Sequence, residues 1–206
     1  MLIVEHFESL GDNCEFGFVQ RALGVEPGGL LRWAVSPPDA LAVAIENRFS
    51  GIFEYENLTP NPSSAGMVFD NATGFSFHTG MSSKDGVFVL SDEERRIVWW
   101  KEKEKVDYLV LKLNSLLESG ERIFVYKQNS GLSDDRLRKL ARSILLRGPG
   151  KLLYVETGTE AGSVIKRGEN LYVGRLDKLA PYDSANSVSL DAWTKVLQSA
   201  HTLING

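Results

Sequence analysis

Ser9-Leu10-Gly11-Asp12-Asn13-Cys14-Glu15-Phe16 is the stretch that decides how this chain folds. An apolar run leads into it and predicts a buried strand over residues 2–9. Apolar residues at helical spacing follow it and predict a helix over residues 14–23 that ends at Gly24. Gly, Asp and Asn, which form tight turns and cap helices, lie between the two elements. The only cysteine of the chain is therefore predicted in the first turn of a helix, just after a strand.

The rest of the chain alternates between strand patterns and helix patterns. Short apolar runs predict strands over residues 123–126, 152–155, 164–166 and 171–173. Amphipathic patterns predict helices over residues 91–119 and 133–146, and from Ser189 onward. This alternation is typical of βαβ units. The sequence therefore predicts a single α/β domain over residues 1–206, with a largely parallel central sheet flanked by helices.

Residues 57–86 are the exception to this alternation, and they predict an irregular excursion from the domain. Turn-forming residues dominate its first part. Short apolar pieces at residues 67–69 and 75–77 predict brief strands, and His78 follows the second of them. Long loops on a compact domain are also where binding residues concentrate.

The helix predicted over residues 91–119 is the longest element. Ser91 and Glu94 fit a capping box at its start. Its apolar residues fall on one stripe that we expect to be buried: Val106, Leu109, Val110, Leu113 and Leu117. The alternating charges of residues 101–105 predict a face in contact with water.

Composition and charge narrow the class of protein. Hydrophobic residues make up 43% of the chain and charged residues 24%, which is typical of a soluble globular protein. A net charge of −4 argues against a dedicated binder of nucleic acid or anionic membranes. The first ten residues lack a signal-peptide pattern, and no apolar run approaches the roughly 20 residues of a membrane span. One cysteine also forms no internal disulfide, so a cytoplasmic protein is predicted.

Cys14 is the best candidate for chemistry. The free N–H groups and the dipole of a helix start favour an anion, so we expect the pKa of the Cys14 thiol to be lowered. The backbone N–H of Cys14 and the side chain of Asn13 are positioned to form an oxyanion hole. The alternative for Cys14 is a small, buried, structural side chain.

A thiol nucleophile needs a base, and the chain has three histidines. His78 ends a short strand and is the candidate base, with an exposed loop residue as the alternative. His6 and His201 are predicted to be structural. Asp70, Asn71 and Asp85 are near His78 in sequence, and none stands out as the group that orients its ring.

Polar residues at the end of the strand over residues 123–126 point to substrate binding. Lys127, Gln128 and Asn129 leave that strand toward a helix, so we expect them at the same sheet edge as Asp12. An ordinary βα loop is the alternative. The cysteine and histidines show no metal-ligand spacing, and no glycine-rich phosphate motif is present. Neither a metal nor a cofactor is predicted.

The segment Ser9–Cys14, followed by a helix, resembles the opening of a bacterial family described as papain-like cysteine peptidases. That family also has a histidine after a short strand, matched here by His78, and a strand similar to Leu152–Val155. The resemblance implies that Cys14 is the nucleophile and His78 the base. It also implies a bacterial source and, as the alternative fold, the α+β layout of papain.

Together these observations predict a cysteine-dependent hydrolase or acyl transferase, of the papain-like peptidase or amidase kind, with a Cys14/His78 dyad. Its expected substrate is a peptide, an amide or a glycan-linked compound. The alternative is a non-catalytic binding or accessory module, for example in a carbohydrate-modification pathway. The distance between Cys14 and His78 distinguishes the two hypotheses, because proton transfer needs direct contact.

Overall fold

The computed structural model describes residues 2–206, which contain five α-helices and three β-sheets. The helices are α1 (Glu15–Ala22), α2 (Pro38–Glu46), α3 (Asp92–Ser119), α4 (Asp134–Leu145) and α5 (Leu190–Asn205). The strands are β1 (Phe7–Ser9), β2 (Ala34–Val35), β3 (Leu58–Pro60), β4 (Met67–Asp70), β5 (Ser76–His78), β6 (Ser83–Lys84), β7 (Val87–Phe88), β8 (Ile123–Lys127), β9 (Lys151–Thr157), β10 (Val164–Lys166) and β11 (Leu171–Leu176). None of these five helices has the length and apolar character needed to cross a lipid bilayer.

A five-stranded central sheet organises the molecule, with the strand order β1-β8-β9-β11-β10. The pairs β1–β8, β8–β9 and β9–β11 are parallel, and only β10 runs antiparallel to its neighbour. The predicted α/β fold with a largely parallel sheet is confirmed. The carboxyl ends of β1 and β8 lie at one edge of this sheet, because Ser9 pairs with Val125.

Helices cover both faces of the central sheet, as the alternation of side chains along β8 illustrates. Ile123 and Val125 point to a core formed with α1 and α5, whose Trp193 is fully buried. Phe124 and Tyr126 point to the opposite core, formed with α2, α3 and α4. Strands buried on both faces in this way are typical of parallel sheets.

The first predicted strand is wrong in its first half. Ile3–His6 form a 3₁₀ helix, and the strand begins only at Phe7. The carboxylate of Glu5 accepts a hydrogen bond from the N–H of Leu2 at 2.6 Å, which favours a turn over an extended backbone. Only the three residues before the Cys14 turn therefore belong to the sheet.

The excursion predicted over residues 57–86 contains four short strands joined by loops and turns. Strands β3, β4 and β5 join β2 in a four-stranded antiparallel sheet, and β6 pairs with β7 in a hairpin. Val68, Phe75 and Phe77 of this second sheet are buried in the same core as α2 and α3. The brief strands predicted near residues 67–69 and 75–77 are confirmed, and the second of them places His78 at its end.

Helix α3 has the predicted capping box and ends at Gly120, whose φ of 67° is left-handed. Leu109, Leu113 and Leu117 of the predicted stripe are buried, as is Leu116. The charged run is not simply a face in water, because Lys103 lies 3.1 Å from a Glu54 carboxylate oxygen and 2.7 Å from one of Asp107. Lys103 therefore ties α3 to the segment before the second sheet.

We expect Leu113→Ala to lower the free energy of unfolding by about 2–5 kcal/mol, the usual range for truncating a buried leucine. Leu113 is 1% exposed and packs in the larger core. Lys101→Ala is the matched control, because Lys101 is exposed on the same helix, and it should change stability by less than about 0.5 kcal/mol. Urea unfolding measures both values, and equal effects would contradict this assignment of the buried face.

Candidate active site

The turn between β1 and α1 places Cys14 at the carboxyl edge of the central sheet. Gly11 and Asp12 both have left-handed φ values, 91° and 77°, which glycine and aspartate tolerate better than most residues. A Cβ on Gly11 would lie 2.4 Å from the Ser36 hydroxyl oxygen. That hydroxyl donates to the carbonyl of Leu10 at 2.6 Å and accepts from the N–H of Asp12 at 3.1 Å. The turn therefore has one tightly packed conformation, which ends with Cys14 directly before α1.

The side chain of Asn13 bonds to the first residue of α1, across the N-cap residue Cys14. Its side-chain carbonyl accepts a hydrogen bond from the N–H of Glu15 at 2.9 Å. Its amide nitrogen is buried and has no hydrogen-bond partner among residues 2–206. The amide oxygen of Asn13 thus stabilises the start of α1, and its amide nitrogen remains a donor without a partner among residues 2–206.

A buried ion cluster fixes the start of α1 to the end of β8. The Lys127 ammonium lies 3.2 Å from a Glu15 carboxylate oxygen and 3.6 Å from one of Asp12. It also donates to the side-chain carbonyl of Asn129 at 2.5 Å. All three charged side chains are almost fully buried. Burial raises the pKa of Asp12, and the Lys127 charge opposes this rise.

Two aromatic side chains complete this cluster from the C-terminal part of the chain. The indole N–H of Trp193, on α5, donates to the Glu15 carboxylate at 2.9 Å. The hydroxyl of Tyr182 donates to the Asp12 carboxylate at 3.1 Å, and its ring lies 5.3 Å from the Lys127 ammonium. The turn that presents Cys14 is therefore held by residues that lie 170 or more positions later in the sequence.

The second sheet brings His78 to Cys14. His78 is the last residue of β5, opposite Met67 of β4, and its side chain reaches back toward the central sheet edge. The Nε2 atom of His78 lies 3.7 Å from the Cys14 sulfur, within reach of a hydrogen bond to a thiol. The structure thus brings together the two residues that the sequence singled out as a dyad.

Glu102 fixes the chain immediately after His78, and sequence reasoning missed it. Its carboxylate accepts hydrogen bonds from the Thr79 hydroxyl and, at 2.9 Å, from the N–H of Gly80. In the sequence Glu102 is one member of an alternating charged run, with no local sign of this contact. Asp70 and Asn71, considered as orienting groups, bond instead to backbone groups of their own sheet and of the segment before it.

Cys14 and His78 lie in the wall of a cleft of about 700 Å³. Its walls come from α1, the loop of residues 26–33, the end of β5 and the middle of α3. Aromatic and aliphatic side chains form most of the apolar surface: Phe18, Trp33, Phe53, Phe77, Val106 and Leu109. Charged side chains occur around them: Arg21, Arg32, Lys105, Glu26 and Glu102.

The residues predicted to bind substrate do not line this cleft. Asp12 and Lys127 belong to the buried ion cluster, and Asn129 donates to the carbonyl of Ala180 at 2.8 Å. Gln128 and Asn13 are not in the cleft wall either. Asp12, Lys127 and Asn129 do meet at the edge of the central sheet, as expected. Their polar groups bond to other protein groups beneath the cleft rather than facing into it.

The remaining histidines lie elsewhere. The rings of His6 and His201 pack against each other with centroids 4.7 Å apart. Burial, followed by the nearby His201, lowers the pKa of His6. Neither residue lines the cleft. Within residues 2–206, no three His, Cys, Asp or Glu side chains are grouped so that they could hold a metal ion.

The expected lowering of the Cys14 pKa is wrong. Burial raises the pKa of this thiol, because the thiolate loses hydration, and the Lys127 charge lowers it by less. Two carboxylates flank the Lys127 ammonium. The net shift favours the thiol form of Cys14 over the thiolate.

No family model, no curated protein and no solved structure matches this chain.

We expect the rate of Cys14 alkylation by iodoacetamide in the folded protein to follow a titration centred above the ordinary cysteine pKa of about 8.5, because burial raises the pKa of this thiol. The reason is that only the thiolate reacts and burial disfavours it. Mass spectrometry of timed samples measures the rate constant at each pH, and the single cysteine makes the modification unambiguous.

The same chain in guanidinium is the control for this titration, with an expected midpoint near the unperturbed cysteine pKa of about 8.5. A native midpoint below pH 7 would show that the helix dipole and an imidazolium at His78 outweigh burial, which would contradict the expected direction.

Proposed function

We propose that this protein is a cysteine-dependent hydrolase or acyl transferase in which Cys14 is the nucleophile and His78 the general base. The observation that carries the proposal is the 3.7 Å separation of the Cys14 sulfur and His78 Nε2 in the wall of a cleft of about 700 Å³. The resemblance of residues 9–14 to papain-like cysteine peptidases supports the same roles. A peptidase or amidase acting on a peptide, an amide or a glycan-linked compound is the finer form of this proposal.

In the first half of the proposed reaction, the Cys14 sulfur forms a bond to a carbonyl carbon while its proton moves to His78 Nε2. The resulting oxyanion accepts a hydrogen bond from the N–H of Cys14, and the Asn13 amide, which is buried behind the cleft wall without a partner among residues 2–206, is the second donor that the sequence suggested. The carbon–nitrogen or carbon–oxygen bond then breaks, and His78 returns the proton to the leaving amine or alcohol. A thioester on Cys14 remains.

In the second half, a water molecule or an acceptor nucleophile attacks the thioester while His78 takes its proton. The carbon–sulfur bond breaks, the acyl product leaves, and the proton returns to the sulfur. Hydrolysis and acyl transfer differ only in this nucleophile. Because burial raises the pKa of Cys14, His78 acts as a base during the attack, without a thiolate formed in advance.

A binding module is the second candidate function, and one observation favours it. The raised pKa of Cys14 leaves little thiolate in the resting protein. The same cleft, with its aromatic walls, would then hold a ligand without reacting with it. Such an accessory module requires that Cys14→Ser retain ligand binding.

We expect p-nitrophenyl acetate to acetylate Cys14, with release of p-nitrophenol and a mass increase of one acetyl group. His78→Ala should lower the acylation rate about 100-fold or more at pH 7, within the usual range for loss of a general base. His201→Ala is the control, because His201 lies outside the cleft, and it should leave the rate unchanged. Acylation that is absent, or that is indifferent to His78→Ala, would favour the binding module.

We expect Glu102→Ala to lower the same acylation rate about tenfold, because the segment after His78 loses both of its contacts to α3. Glu102 acts here as a positioning residue. Glu104→Ala, an exposed change on the same helix, is the matched control. Glu102→Gln keeps one acceptor oxygen and should recover part of the acylation rate. Equal acylation rates in the wild type and in Glu102→Ala, at equal melting temperature, would show that Glu102 does not position His78.

A further inference from the structure

The cleft is lined by more positively than negatively charged side chains. Three cations, Arg21, Arg32 and Lys105, line it against two carboxylates, Glu26 and Glu102. The chain as a whole has a net charge of −4. The cleft is thus a positively charged region on an acidic protein, and this local sign bears on which ligands enter it.

Among residues 2–206, Glu26 is the one carboxylate that pairs with both arginines, so a positive charge remains on this group of three side chains. Its carboxylate lies 2.5 Å from a nitrogen of Arg32 and also forms an ion pair with Arg21. Arg32 is buried, and its remaining contacts are to the backbone carbonyls of Pro27 and Gly17. Arg21 is half-exposed, with a side-chain exposure of 54%, so it is the guanidinium of this pair that a ligand in the cleft can reach.

Trp33 holds the two guanidiniums in place. The Arg21 guanidinium carbon lies 4.9 Å from the Trp33 ring centroid, and that of Arg32 lies 4.6 Å from it. Phe18 packs edge-on against the same indole, with centroids 5.1 Å apart. These contacts restrict the arginine side chains, so binding an anion there requires little further loss of side-chain entropy.

Lys105 supplies the second available cation, from the opposite wall of the cleft. It forms no ion pair within residues 2–206. Glu102, one turn earlier on α3, directs both oxygens of its carboxylate to Thr79 and Gly80 rather than to the Lys105 ammonium. Lys105 therefore faces the cleft from the same helix that fixes the segment after His78.

Apolar side chains form the surface between these cations. Phe53 and Phe77 pack edge-on at 5.4 Å, and Val106 and Leu109 of α3 line the cleft beside them. An apolar body fits this surface, and an anionic group fits the cations at its margin.

We propose that the cleft selects substrates in which an apolar body carries an anionic group, such as a carboxylate, sulfonate or phosphate, recognised by Arg21 and Lys105. This proposal deepens the proposed function and rests on it, because it takes Cys14 as the group that reacts with the bound molecule. Neutral or cationic substrates of the same shape bind the cleft less tightly.

The first test measures binding without any reaction at sulfur. The probe is 8-anilinonaphthalene-1-sulfonate, an apolar aromatic anion, and its neutral counterpart is N-phenyl-1-naphthylamine. We expect the sulfonate to bind more tightly than the amine. Lys105→Gln should weaken sulfonate binding about two- to fivefold, the range for one exposed charge. Lys101→Gln is the matched control, because it removes the same charge from an exposed position of α3 outside the cleft.

The second test uses the thiol. Iodoacetate is an anion and iodoacetamide is neutral. We divide the rate constant of iodoacetate with Cys14 by that of iodoacetamide, and we divide this ratio by the same ratio measured with glutathione. The normalised ratio reports the charge preference of the cleft. We expect this normalised ratio to exceed one, and to fall toward one in Lys105→Gln and at high salt. Lys101→Gln should leave it unchanged.

The two tests separate the two proposals. Sulfonate binding that weakens in Lys105→Gln, with a Cys14 that reacts with neither reagent, would refute the proposed function and keep the anion preference. A normalised ratio of one or less, with sulfonate binding equal in Lys105→Gln and Lys101→Gln, would overturn the anion preference and leave the Cys14/His78 chemistry standing.

Discussion

Lys127, at the end of β8, holds its ammonium between the carboxylates of Glu15 and Asp12, at 3.2 and 3.6 Å, almost without exposure to water. A buried ion pair of this kind contributes little net stability, but loss of one partner typically costs about 3–5 kcal/mol, because the remaining charge is left unpaired. The cluster therefore acts as a constraint. It fixes the first turn of α1 on the central sheet, and with it the position of Cys14.

The second sheet supplies the histidine that contacts Cys14. The central sheet presents Cys14 at its carboxyl edge, and the histidine nearest to the sulfur comes from the second sheet. Strands β2 to β5 share the core of α2 and α3, and that packing places His78 at 3.7 Å from the sulfur. Glu102 then joins the end of β5 to α3. The proposed dyad thus joins a residue that follows a strand of the central sheet to a residue that ends a strand of the second sheet.

Local patterns in the sequence predict the α/β fold and the β1–α1 turn correctly, because periodicity, caps and turn residues act over a few positions. They also single out Cys14 and His78, which the structure places next to each other. They were not enough for Glu102, whose partner lies 22 residues away, or for the pairing of β2 with β5. The 3₁₀ helix at Ile3–His6 was missed because its apolar residues fit a strand equally well. The pKa of Cys14 depends on burial, a property of the tertiary packing, and the helix-start argument alone gave the opposite direction.

The raised pKa of Cys14 has two opposing effects on a nucleophile. It lowers the fraction of thiolate at neutral pH, but the thiolate that forms is intrinsically more nucleophilic, because nucleophilicity falls as thiol pKa falls. A site of this kind depends on a base in contact with the sulfur, since spontaneous ionisation is rare. For the proposed reaction, the contact of His78 with Cys14 therefore matters more than the helix dipole. In such a site reactivity is set by the positions of two side chains, and both positions follow from packing far from the sulfur.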